Sequence, residues 1–121
     1  AHALKMYDFI HDRDGEVVLL PLPAPVMKWD SPRATFAAAL ENERHNSSKI
    51  DELCELAMTE RDHASLAFLQ WFVNEQVEEE SVARDLLRKL EMVADSNAGL
   101  FMMDQELAGR PLPPEAAAPI D

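Results

Sequence analysis

The chain has 121 residues, of which 47% are apolar and 28% charged, and its formal net charge is -12. That length bounds the protein to one domain with enough apolar side chains for a real core. So acidic a chain argues against nucleic acid and anionic membranes as partners and is compatible with attracting cations. The single Cys54 forms no internal disulfide and no signal peptide or long apolar span is visible, so a reducing cytoplasmic setting is expected.

The chain opens directly on a helical pattern, with His2, Met6 and Phe9 on one stripe. No capping Ser, Thr, Asp or Asn precedes it and there is no initiator Met, so an upstream continuation is expected, a frayed first turn being the alternative. From His11 to Asp30 the pattern breaks. Asp14-Gly15 signals a turn, and Pro21, Pro23 and Pro25 alternate with Leu and Ala, which predicts an extended connection. A loop of this length suits one bundle topology, a crossover running the length of the bundle so that the helices on either side lie parallel. Val17, Val18, Leu19, Leu20, Val26 and Trp29 would then pack along the bundle or against another subunit.

A second helix is announced by Ser31 as N-cap and Pro32 at the first helical position. Its stripe is Phe36, Leu40, Glu43, Ser47, Ile50, Cys54 and Ala57, which puts the Glu43 carboxylate at a core position. It should stop between Thr59 and Asp62, with Asp62 capping a third helix from about His63 to Ala94. There the stripe is Leu69, Phe72, Gln76, Glu79, Ala83, Leu86, Leu90 and Val93, so Gln76 and Glu79 fall within the apolar face. A buried carboxylate without a partner costs several kcal/mol, roughly, so Glu79 needs a donor or a cation. Glu75 lies one turn before Glu78 and Glu79, and three like charges on one patch repel unless a multivalent cation turns repulsion into coordination. Ser96 to Gly99 breaks this helix. A short amphipathic segment from about Leu100 to Leu107 follows, with Leu100, Phe101, Met103 and Leu107 as its apolar side, and the Pro- and Ala-rich residues 109–121 form a tail expected to be disordered.

Three segments thus place a metal-ligand type on an apolar stripe: His2, then Glu43, then Gln76 with Glu79. Singly, a His on an apolar face is most often a satisfied core histidine, and a Glu there is usually an edge residue paired with Lys or Arg. Together they form a hard, oxygen-rich set that suits iron or manganese. His11, His45 and His63 sit at helix ends or on solvent faces. Met6, Met58, Met92, Met102 and Met103 read as core or interface filler.

The run Phe68-Leu69-Gln70-Trp71-Phe72-Val73-Asn74-Glu75-Gln76-Val77-Glu78-Glu79-Glu80 closely resembles the fourth helix of bacterial non-haem ferritins, of the ferritin-like di-iron family. The resemblance runs from His2 to about Leu107 and includes Ser31, Lys49-Ile50-Asp51-Glu52-Leu53 and Gly99-Leu100-Phe101-Met102-Met103-Asp104-Gln105-Glu106-Leu107. It implies an all-α, ferritin-like four-helix bundle that stores iron (Fe2+/Fe3+), oxidises it at a di-iron ferroxidase centre and assembles into a multi-subunit shell. Carried over by position, His2 resembles the histidine on the first iron and Glu43 the carboxylate on the second. Gln76 and Glu79 occupy the fourth-helix ligand positions, and Glu75 and Glu78 those of an adjacent third iron site.

The family's first helix, with its carboxylate on the first iron, has no counterpart here, nor do the two Glu that precede the histidine. The resemblance therefore covers the C-terminal part of the fold and implies fewer ligands than two irons need. A second polypeptide would supply the rest, or two copies would pair, at least a dimer being expected. The alternative is a non-catalytic helical self-association module with a vestigial metal site.

Overall fold

The structure, a computed structural model, describes residues 2–110. It holds four helices: α1 (His2–Asp12), α2 (Pro32–Thr59), α3 (His63–Val93) and α4 (Asn97–Ala108). Three of them start on capping side chains. The Ser31 hydroxyl accepts from the Ala34 N–H and Pro32 takes the first helical position. Asp62 accepts from the Ser65 N–H, and Ser96 from the Gly99 N–H. Each satisfies an N–H that the helix itself leaves open. The tight α2–α3 turn carries Arg61 at φ 56°, and Asp62 N–H closes it on the Ala57 carbonyl at 2.8 Å.

Contacts between the helices fix their directions. Arg33 pairs with Glu91 at one end of α2 and α3, and Glu43 meets Gln76 further along, so these two helices are antiparallel. Along α1, His2 lies against Trp71, Phe9 stacks on Phe68, and Arg13 pairs with Asp62, so α1 is also antiparallel to α3. Hence α1 and α2 are parallel, as the long connection requires. It leaves the α2–α3 turn at Arg13 and reaches Ser31 near Glu91, traversing much of the length of α3, about 46 Å for 31 residues.

The core lies where α2 crosses the first half of α3: Ile50, Cys54, Ala57, Leu69 and Phe72 are buried together, with Met6, Leu66, Phe68, Trp71 and Val73 packed against them. Phe72, 2% exposed, is its centre; burying a side chain of that size contributes roughly 1.5–3 kcal/mol. Burial, and then the nearby Asp51 carboxylate, push the Cys54 thiol up from its ordinary value, which keeps it an unreactive core residue. At the far end Leu90 and Met103 join α3 to α4. Between α1 and α2 an apolar groove of about 310 Å³ stays open, walled by Met6, Phe9, Leu53, Leu56 and Phe68.

Two expectations change, and two lose one of their alternatives. Glu79 is exposed although the stripe puts it inside, and Glu80 is the half-buried carboxylate instead. Phe101 points outward at 65% exposure, because α4 buries Met103 rather than its neighbours. Of the crossover's apolar residues only Val17 is half-buried; Val18, Leu19, Leu20, Val26 and Trp29 do not pack along the bundle within one chain. Met58, Met92 and Met102 are likewise exposed, so as filler they serve no core of this chain. The tail expected from residue 109 onward lies outside the described residues beyond Arg110.

Candidate metal centre

Two pairs of donor side chains face each other across the helices. The first joins α2 to α3. Gln76, 6% exposed, is the buried polar residue of α3, and its Nε2 donates to the Glu43 carbonyl at 3.0 Å, to Glu43 Oε2 at 3.2 Å and to Ser47 Oγ at 3.3 Å. Asn46 Nδ2 also donates to Glu43 Oε2 at 3.2 Å. Glu43 therefore sits at the bundle midsection, half-buried, with its carboxylate held by two amides and, among the described residues, by no cation. An acceptor-only group so placed keeps lone pairs to offer a metal ion.

The second pair joins α1 to α3. His2 Nε2 lies 3.8 Å from Glu75 Oε2. The imidazole is edge-on to Trp71, with ring centroids 5.2 Å apart, and to Phe72 at 6.0 Å. Lys5 Nζ stands 4.3 Å from the centroid of the Trp71 ring, so Trp71 meets both a cation and the imidazole. Glu75 and Gln76 are consecutive on α3 and so look toward different neighbours, one at α1 and one at α2.

Of the six candidate ligands, then, Glu43, Gln76, His2 and Glu75 meet in two pairs. Glu78 and Glu79 are exposed and enter no ion pair or side-chain hydrogen bond among the described residues. Nor, among the described residues, do three His, Cys, Asp or Glu side chains converge closely enough to hold a metal ion. His11, His45 and His63 are all exposed.

Beside the first pair lie two groups that the apolar stripes do not include, Glu80 and Arg84. Ser47 Oγ donates to Glu80 Oε1 at 2.6 Å, and Arg84 lies 3.5 Å from Glu80 Oε2. Together with Asp51 these line a cavity of about 340 Å³ that opens beside Gln76. The spacing of Glu80 and Arg84, one turn apart with opposite charges, was the available signal.

A ferritin-like domain model matches residues 1–93. The chain belongs to the ferritin-like family. It is 37% identical over 109 residues to the bacterial non-heme ferritin of Staphylococcus epidermidis, covering 90% of this chain and 66% of that one. Against the bacterial non-heme ferritin of Staphylococcus aureus the identity is 32% over the same length. The chain thus spans just under two thirds of the curated relatives it matches. Among solved structures, an engineered closed form of the Archaeoglobus fulgidus ferritin superposes with a TM-score of 0.90 at 44% identity, covering 93% of this chain and 68% of that one. The open-pore ferritin of the same archaeon gives 0.89 at 44% identity, covering 91% and 68%. The all-α ferritin-like bundle expected from the sequence is therefore the fold. No helix of the described residues is long and apolar enough to cross a membrane.

Proposed function

We propose that this chain takes part in iron storage, with ferrous iron as its substrate and Glu43, Gln76, His2 and Glu75 as its contribution to a ferroxidase centre. The observation that supports this most is the Glu43–Gln76 pair, a carboxylate and a buried amide brought together across α2 and α3 in a bundle midsection. Hard carboxylates with one borderline imidazole make a donor set that suits iron. Anionic oxygen ligands stabilise the ferric over the ferrous ion, so binding favours the loss of one electron per iron to dioxygen or peroxide. By family position Glu79 belongs to the paired site and Glu75 with Glu78 to the adjacent one; because Glu79 is exposed and Glu75 turns to His2, the two exchange roles in this proposal, and Glu78 with Glu79 makes the adjacent site. The net charge of -12 draws cations toward the protein.

The four donors fall short of two irons, so the remaining ligands come from a helix seated in the apolar groove between α1 and α2, supplied by another stretch of polypeptide or by another copy. The exposed crossover residues, among them Leu19 and Leu22, form the contact surface of an oligomer, at least a dimer and in its full form a cytoplasmic shell holding ferric mineral. An anaerobic ferrous titration of the purified chain beside Glu43→Gln tests the reading. Removing one anionic ligand should weaken binding by tenfold or more; equal binding by both proteins would remove Glu43 from the site.

A further inference from the structure

The amide of Gln76 has a fixed orientation, and one of the groups that fix it, the Ser47 hydroxyl, lies outside the candidate ligand set. All three of its hydrogen bonds run through Nε2. Two of the acceptors, the carbonyl and the carboxylate of Glu43, cannot donate, so the nitrogen must face α2 and the carbonyl oxygen, Oε1, must face away from it. The third acceptor is Ser47 Oγ, which carries a single proton. That proton has two acceptors within reach: the Glu43 carbonyl at 3.1 Å and Glu80 Oε1 at 2.6 Å. The shorter bond, to a charged acceptor, is the stronger. With its proton given to Glu80, Ser47 presents only lone pairs to Gln76 and reinforces the orientation. Arg84, 3.5 Å from the other oxygen of Glu80, holds that carboxylate in place one turn along α3. A row of polarised contacts thus runs from Arg84 through Glu80 and Ser47 to Gln76 and Glu43.

We propose that Ser47, polarised by Glu80, is a positioning residue for the metal centre: it holds the Gln76 amide with its nitrogen on Glu43 and its carbonyl oxygen turned out as a ligand for a hard cation. This rests on the reading of Glu43 and Gln76 as part of that centre. Ser47 touches no metal itself; it acts through Gln76. Groups that orient ligands in this way commonly change metal affinity by roughly 10–100-fold when removed.

The test uses Tb3+, a hard trivalent probe excited through Trp71, with the full chain, three variants and helix content checked by circular dichroism. Ser47→Val and Ser47→Thr are close in volume and differ by the hydroxyl, and neither alters charge. Glu43→Gln reports on the site itself. The expected result is that Ser47→Val weakens Tb3+ binding by roughly tenfold and raises the number of metal-bound waters, read from emission lifetimes in H2O and D2O, while Ser47→Thr behaves as the parent. If Glu43→Gln weakens binding and Ser47→Val does not, the centre stands and the positioning role is overturned. If Ser47→Thr is as impaired as Ser47→Val, the hydroxyl is not the agent and the role is equally overturned. If Glu43→Gln leaves binding unchanged, the reading of the centre fails, and the positioning role with it.

Discussion

Gln76 Nε2 and Glu43 Oε2 stand 3.2 Å apart across the α2–α3 interface, and the amide's nearly complete burial makes this the polar junction of the bundle. Gln76→Leu keeps the volume and deletes the donor. The Glu43 carbonyl and carboxylate then each lose a hydrogen bond in a half-buried setting, a cost of about 1–3 kcal/mol. Thermal unfolding followed by circular dichroism should show a lowered midpoint with helix content unchanged.

The α2–α3 turn carries a pH dependence. Hydrogen bonds from the Ser65 hydroxyl and backbone N–H, and then from Arg13, hold the Asp62 carboxyl down at about 2 from its ordinary 3.8. A depressed carboxyl contributes stability that is present above its unfolded value and is lost as pH falls through its folded one. Unfolding midpoints should therefore fall as pH is lowered from about 4 toward 2. In Asp62→Asn, which keeps a cap acceptor and gives up the charge, that part of the decline should shrink. An unchanged pH profile in the variant would remove Asp62 as its source.

Trp71 reports on the α1 side. Its ring lies 5.2 Å from that of His2, so a metal ion bound at His2 and Glu75 sits beside the fluorophore. In a Trp29→Phe background, anaerobic ferrous iron should quench Trp71 emission saturably, and His2→Ala should shift the titration to higher iron. Identical curves would place the iron away from α1.

The crossover carries the assembly prediction. Leu19 and Leu22 are 85% and 93% exposed, which a partner surface would relieve. Light scattering should find at least a dimer, and Leu19→Lys with Leu22→Lys should shift it to a smaller species. A monodisperse parent monomer would contradict the assembly.

Much of the bundle was legible because helical period and capping chemistry agree. Ser31 and Asp62 start helices where their side chains reach an open N–H, and the crossover's length and prolines required α1 and α2 to run parallel; Ser96, expected only as part of a break before Leu100, caps α4 at Asn97 instead. Glu43 and Gln76 were found by the same period. Glu79 was misplaced because three-residue and four-residue steps are both helical: after Gln76 the buried side of α3 continues through Glu80, drawn inward by Ser47 on the facing helix. No periodicity within α3 holds that information, since it belongs to α2. Phe101 misled for a related reason, and the crossover kept two alternatives open: apolar composition does not say which neighbour, in this chain or another, would cover a side chain.

The central claim is that this chain's donors serve iron chemistry, and it is tested most directly by loading the purified protein with ferrous iron under anaerobic conditions, then admitting air while near-ultraviolet absorbance and particle size are followed together. The account predicts saturable uptake in assembled particles, followed by oxidation faster than that of free iron at the same pH. Oxidation no faster than free iron, from a small species that takes up none, would leave the ferritin-like fold in place and contradict its function here.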